Sequence, residues 1–296
     1  MLGIRLDRLT TIHFSWPIVR LMQGRGRTRI PILMYHAVAD GSSDPRPYYE
    51  TNVSPCVFAK QMLQLRKEGY ATVSLDAALE ALRSGEPVEK RVAITFDDGY
   101  LDFYENAFPI LSEHGFTATV FLTTGFTGEP HLRLRFKDKE CLTWSKVREL
   151  HEHGIMFGSH TVTHPQLKDL EQDHIEVELR SSKQMIEDQI GAAVRSFSYP
   201  YAFPEVCTGF VRNLKEILMT QGYQNGVTTI IGTANHDSDC FFLPRLPVNT
   251  WDDPCFFQAK LEGGYDWLHG AQYLSKLAGR LRPSHPEEKA KTMALS

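Results

Sequence analysis

Short apolar runs alternating with helix-spaced stretches constrain this chain more than any other feature. Runs at 30–36, 91–97, 118–123, 155–159, 195–199, 226–231 and 242–248 read as strands, most of them rich in Ile, Val, Leu or Phe. Between them, Phe58, Met62 and Leu65 recur at helical spacing before Gly69, and a short helix is expected after Ser74 through Leu82 to near Gly85. Further helices are expected at 102–114, from the Thr143 cap to Gly154, at 169–190 with Ile175, Leu179, Ile186 and Ile190 on one stripe, and at 205–221. Strands that alternate with helices of this length pair in parallel through right-handed crossovers, which leaves an α/β barrel or an open wound sheet. A chain of 296 residues has room for one barrel of about 250 residues or for roughly two ordinary domains.

The connecting and terminal segments carry different signals. Residues 37–54 and 125–140 have turn-forming or charged residues without periodicity and are expected to be loops, the second lying over one face. Residues 1–30 carry Arg5, Arg8, Arg20, Arg25, Arg27 and Arg29 against a single acid, Asp7. The stretch Leu9–Val19 between them is broken by His13, Ser15 and Pro17 and falls short of the about 20 apolar residues a membrane span needs. No small-x-small cleavage site follows, so this start is expected to be an extension or a surface-lying segment, with a poor signal peptide as the other reading. At the far end, Trp267, Ala271, Leu274, Ala278 and Leu281 mark an amphipathic helix bearing Lys276, Arg280 and Arg282, followed by a polar tail at 283–296.

Lys and Arg total 32 against 36 Asp and Glu, and a net charge of −4 gives no case for nucleic acid as a partner. The five cysteines, Cys56, Cys141, Cys207, Cys240 and Cys255, lie far apart without a C-x-x-C pair, which indicates neither a zinc ribbon nor a disulfide framework and suits a reduced compartment.

Two stretches are over-supplied with chemistry. In Thr95-Phe96-Asp97-Asp98-Gly99 two adjacent carboxylates close a buried strand, although strand stability has no use for them. Alone this reads equally as a strand followed by an Asp-Gly turn. In His160-Thr161-Val162-Thr163-His164 two imidazoles four apart are expected on one side of a helical turn, able to bind one metal ion together. Such pairs are often ordinary surface histidines, but His160 follows a strand, where a solvated helix face is out of place. His36, Asp97, Asp98, His160, Tyr201 and Arg245 are all expected at or just past the C-terminal ends of different strands, where a parallel barrel gathers its site.

These motifs resemble those of the polysaccharide deacetylase family of carbohydrate esterases. Thr95 through Gly99 resembles its first motif, His160 through His164 its His-Ser/Thr-x-x-His motif, and Ser198-Tyr199-Pro200-Tyr201 a variant of its third, over roughly residues 30–250. The resemblance implies a distorted (β/α) barrel that releases acetate by removing N-acetyl groups from an amino sugar or N-acetylated polysaccharide. It implies a divalent metal held by Asp98, His160 and His164, zinc by preference with cobalt, nickel or iron as alternatives. Asp97 is then the general base, and Pro200 and Tyr201 contact substrate, with the Tyr201 N–H on the tetrahedral oxyanion. The residue types suit those roles, since two imidazoles and a carboxylate leave metal positions open for water and an acyl oxygen.

The departures matter too. Where the family often has Arg and Gly around the Pro-Tyr pair, this chain has Ser198 and Ala202, so the arginine orienting the base is expected to be Arg245 of Leu243-Pro244-Arg245. Without the resemblance Arg245 reads equally as a surface arginine at a strand edge. The opening Leu33-Met34-Tyr35-His36 and this Leu-Pro-Arg segment look like the exopolysaccharide branch that acts on poly-N-acetylglucosamine. The family's final Leu-x-Leu-x-His has no clear match, which leaves His36 or the looser His236 as proton donor, and His36 reads also as a core histidine.

The domain expectation is an Arg-rich extension at 1–29, the catalytic barrel at 30–252, and a helix with a polar tail at 253–296. Expected partners are an N-acetylated amino-sugar glycan or lipid-linked saccharide, with peripheral membrane contact through the termini. The expected location is cytoplasmic or peripheral at the membrane, with export left open. Rival functions are a carbohydrate-binding barrel without catalysis and an amidohydrolase acting on another C–N bond.

Overall fold

Each apolar run becomes one strand of a single ring. A computed structural model describes residues 5–22, 29–41, 48, 50–84, 88–129 and 131–281; Arg25, Arg27, Gly85, Arg282 and the tail at 283–296 lie outside these. The strands are β1 (Ile32–Tyr35), β2 (Arg91–Phe96), β3 (Thr119–Leu122), β4 (Met156–Ser159), β5 (Ser196–Ser198), β6 (Asn225–Ile231) and β7 (Leu243–Pro247). All pair in parallel and follow the ring in sequence order, with Tyr35 beside Phe96, Leu122 beside Ser159 and Ser198 beside Val227. Leu246 beside Leu33 joins β7 to β1 and closes the ring, so the barrel itself has no free edge. Near-continuous apolar strands are what such a ring requires, because each is covered outside by helices and inside by its neighbours.

The outer layer follows the helical spacing. Helices α3 (Pro55–Lys67), α4 (Leu75–Ser84), α6 (Trp144–Glu152), α7 (Gln172–Ile190) and α8 (Thr208–Thr220) bury Phe58, Met62, Leu65, Leu79, Val147, Leu179, Ile186 and Leu214. The helix expected at 102–114 is interrupted, with a π turn at Phe103–Ala107 preceding α5 (Phe108–Glu113). Pro109 offers no N–H and crowds the carbonyl one turn back, so the ladder widens before it.

Residues 6–22 are helical and hydrogen-bonded to the C-terminal part of the chain. Helix α1 (Leu6–Thr10) continues through a π turn at Thr11–Ser15 into α2 (Trp16–Met22). Arg5 donates to Asp252 at 3.2 Å, Tyr265 to Asp7 at 2.8 Å, Trp16 to Glu262 at 2.7 Å and Trp267 to Thr11 at 3.0 Å. These bonds tie the segment to α9 (Pro254–Leu261) and to the turn leading into α10 (Leu268–Leu281). No helix among the described residues is long and apolar enough to cross a membrane.

Four further local expectations fail. The stretch 37–54 is not all loop, since Ala37–Val38 and Asn52–Val53 pair in parallel. The stretch 125–140 is not all loop, since Arg135–Phe136 and Lys139–Glu140 pair as an antiparallel hairpin. Residues 160–164 form bends instead of a helical turn, with Thr161 at φ 70° and His164 at φ 58°. Arg245 is neither a strand-end nor a surface residue: it sits inside β7 with none of its surface exposed.

Candidate active site

The C-terminal ends of β1, β2, β4 and β5 gather the site, and β7 reaches into it from within the barrel. At the end of β2, Asp97 and Asp98 separate because Asp98 takes a left-handed backbone (φ 71°), which Asp tolerates better than most residues, and Gly99 repeats it (φ 70°). A Cβ at Gly99 would come within 2.8 Å of the Leu122 side chain, so this turn needs glycine on both counts.

Asp97 is held from below. Arg245 donates to both its oxygens, Nη1 to Oδ1 at 2.8 Å and Nη2 to Oδ2 at 2.7 Å. Ser198 Oγ stands 3.1 Å from Asp97 Oδ1 and 3.1 Å from Arg245 Nη2, joining the two partners. Arg245 also donates to Thr95 Oγ1 and to the Thr228 carbonyl, which satisfies its guanidinium in an interior position. Burial by itself would raise the Asp97 pKa, but the Arg245 charge, aided by His160, outweighs it and holds the carboxyl well below the ordinary carboxylate range.

Asp98 serves a different neighbourhood. Its Oδ2 accepts from Tyr100 Oη at 2.8 Å, while its buried Oδ1 has no hydrogen-bond partner among the described residues. That orphan oxygen lies 3.5 Å from His160 Nε2 and 3.4 Å from His164 Nε2. The three ligand-type atoms fall within 4.8 Å of one another, and all three side chains are buried. An unsatisfied buried carboxylate oxygen facing two imidazole nitrogens fits a divalent cation, the charge such donors are built to share. Burial also raises the Asp98 pKa, and the surrounding His36, Lys137, His160 and His164 overturn that and lower it.

The histidine loop is shaped by its own side chains. His160 Nδ1 donates to the Ser198 carbonyl at 2.7 Å, which fixes the tautomer and leaves Nε2 with a free lone pair. Glu178 of α7 accepts the Val162 and Thr163 N–H groups at 2.7 and 3.0 Å, and Thr161 Oγ1 accepts from the His164 N–H at 2.9 Å. Burial, with His160 and Lys137 nearby, lowers the His164 pKa to about 3, so its imidazole stays neutral at physiological pH. Its ring is flanked by Phe136 at 4.9 Å and Tyr201 at 4.4 Å between centroids.

The other expected residues divide. His36, directly after β1, places Nε2 4.0 Å from Asp97 Oδ2, and burial lowers its pKa despite both acids. Pro200 is buried, while Tyr201, at φ 59°, keeps its ring at the opening. His236 does not join the site: it is exposed against Asp237, next to the Ala234–Asn235 strand that pairs with Arg29–Ile30 at the opposite end of the barrel. Sequence reasoning missed Ser198 as a direct partner of Asp97, Tyr100 as a partner of Asp98, and Lys137, whose Nζ is 3.3 Å from Asp98 Oδ2. The first two sit within or beside the motifs; Lys137 carried no signal.

A parallel barrel with a buried Asp-His-His cluster and an ion-paired second aspartate at its C-terminal mouth has the parts for metal-assisted hydrolysis. The polysaccharide deacetylase family matches residues 84–224. The Bacillus subtilis (strain 168) protein YxkH, which bears a polysaccharide deacetylase name, is 33% identical over 235 residues, covering 79% of this chain and 76% of its own. A poly-β-1,6-N-acetyl-D-glucosamine N-deacetylase of Staphylococcus epidermidis is 25% identical over 235 residues, 76% of each chain. The Streptococcus pyogenes deacetylase PplD, solved in complex with acetate, superposes with a TM-score of 0.68 at 28% identity, covering 79% of this chain and 99% of its own. The chain belongs to the polysaccharide deacetylase family and is a deacetylating hydrolase with a (β/α) barrel, in a family that generally uses a divalent metal.

Proposed function

We propose that this protein removes N-acetyl groups from an amino-sugar glycan of the poly-N-acetylglucosamine type, with zinc held by Asp98, His160 and His164. The observation that carries this reading is the orphaned Oδ1 of Asp98 facing two imidazole nitrogens, one residue from a carboxylate that Arg245 keeps ionised. When bound, the metal supplies a Lewis acid that polarises the amide carbonyl and acidifies a water molecule. Asp97 takes the proton from the attacking water while Arg245 and Ser198 hold its carboxylate in place. The Tyr201 backbone N–H donates to the oxyanion, and the Tyr201 and Phe136 rings form apolar walls for the sugar. His36, whose Nε2 lies 4.0 Å from Asp97 Oδ2, passes the proton that Asp97 takes from the water on to the departing amine. The substrate class is supported by the Staphylococcus epidermidis relative, whose name states it.

Acetate release from N-acetylglucosamine oligomers, measured on metal-stripped protein and after adding zinc, cobalt, nickel or iron singly, tests this. Recovery with zinc is expected. Release only from non-sugar acetamides would transfer the activity to another C–N bond, and oligosaccharide binding without release under any metal would leave a binding barrel.

We also propose peripheral membrane contact through the chain start. Leu6, Leu9, Phe14, Ile18, Leu21 and Met22 are exposed, with the π turn carrying this apolar stripe from α1 into α2. Arg20 lies exposed beside it, 3.8 Å from Glu262, and the sequence itself has no acid from Arg8 to Ala39. An anionic bilayer surface complements that combination and would suit a lipid-linked saccharide. Sedimentation with anionic vesicles is expected to fall for Phe14→Ser with Leu21→Ser; equal sedimentation of both forms would overturn the contact.

A further inference from the structure

The hairpin at 135–140 is bound to the turn that carries Asp98. Tyr100 and Cys141 form an antiparallel bridge, the Leu101 N–H donates to the Glu140 carbonyl at 2.8 Å, and the Leu142 N–H donates to the Gly99 carbonyl at 2.9 Å. Between the paired strands, Lys137 and Asp138 both have positive φ, 47° and 61°, the sign pattern of a two-residue turn whose twist suits a hairpin. This turn places Lys137 Nζ 3.3 Å from Asp98 Oδ2, 4.6 Å from the Phe136 ring centroid and 5.7 Å from the Tyr201 centroid. The Lys137 side chain is 46% exposed, so its ammonium stands at the mouth of the site, against the outer oxygen of a carboxylate whose inner oxygen faces the two histidines.

We infer that Lys137 is a positioning residue that tunes the metal site electrostatically: it occupies the outer oxygen of Asp98 and weakens the hold on a divalent cation at the inner one. The inference rests on the metal reading of Asp98, His160 and His164. Tyr100 already donates to the same Oδ2, so orientation of the carboxylate does not depend on Lys137 alone. What Lys137 adds is charge. A cation beside a ligand withdraws part of the negative charge the metal would otherwise receive, and it repels the metal directly. An ion held by Asp98, His160 and His164 would therefore be bound less tightly and would keep more of its positive charge for polarising substrate.

Chelator competition on the purified full chain measures zinc affinity without any activity assay. Lys137→Met is expected to bind zinc about tenfold more tightly or better, and Lys137→Arg, which keeps the charge, to stay near the parent value. A merely structural role for Lys137 would weaken binding in the Met variant. Weaker or unchanged affinity there would overturn the inference, and so would equal tightening by Arg. Asp98→Asn in the same assay tests the underlying site separately: retained stoichiometric zinc sinks the metal reading, whereas loss of zinc without tightening in Lys137→Met sinks only the role of Lys137.

Discussion

Arg245 and Asp97 meet in a two-pronged ion pair inside the barrel, joining β7 to the end of β2 through contacts of 2.8 and 2.7 Å. The pair is buried and shares its surroundings with Ser198 and Thr95.

Breaking that pair should be costly and pH-dependent. Arg245→Met leaves a buried carboxylate uncompensated and is expected to lower stability by about 3–5 kcal/mol near neutral pH. In the parent protein the Asp97 pKa is depressed below its unfolded value of about 3.9, so the stabilisation is full above that pH and is lost as pH falls through the folded value. In the variant, burial acts without the guanidinium and raises the pKa, which reverses the sign: stability is then lost as pH rises. Denaturant melts of both proteins from pH 3 to pH 8 should show a gap that widens with pH; a constant gap would refute the linkage.

The same substitution should move catalysis. With Asp97 protonating more readily, the acid limb of kcat/KM is expected at higher pH in Arg245→Met than in the parent. Acetate release followed across pH checks this, and an unmoved limb would separate Arg245 from the base.

Asp97→Asn removes the proton acceptor while leaving Asp98, His160 and His164 in place. A loss of about 10²–10⁴ in kcat is expected, with zinc content unchanged by elemental analysis. Loss of metal together with activity would mean that Asp97 is a ligand and not a base.

His160→Gln should have the opposite profile. It removes one of three ligand atoms and the bond to the Ser198 carbonyl, so stoichiometric zinc should disappear along with acetate release. Equilibrium dialysis showing a full complement of zinc would reject the ligand set.

At the flank, Asp252 accepts from Lys260 at 2.7 Å and from Arg5 at 3.2 Å, and Asp252 and Lys260 are both buried. Asp252→Asn strands the Lys260 charge in the interior and is expected to cost about 3–5 kcal/mol in denaturant unfolding. A loss within error of zero would show that the chain start docks without this network.

Much of the barrel is legible because its strands are apolar runs and its helices carry regular stripes, and a parallel ring asks for little else. Asp97 and Asp98 are legible because two acids on a core strand have no structural purpose. The path of the histidine loop is not, since four-residue spacing looks the same in a helical turn and in bends with left-handed residues at Thr161 and His164. Arg245 was legible as a candidate but not as an interior residue, because a strand alternates faces and Pro244 and Pro247 beside it suggest an edge. Lys137 is invisible for a different reason: a hairpin of two-residue strands has no apolar alternation, and its importance lies wholly in which turn it is tied to.

The order of the ring also sets an order of assembly. A chain emerging from the ribosome presents its N-terminal part first, so Asp98, His160 and His164 are all made before β7 exists. A nascent or prematurely terminated chain lacking β7 would hold every metal-binding side chain, yet its neighbouring carboxylate would have no guanidinium partner and its ring no last stave. The base thus gains its guanidinium partner only with the strand that completes the barrel.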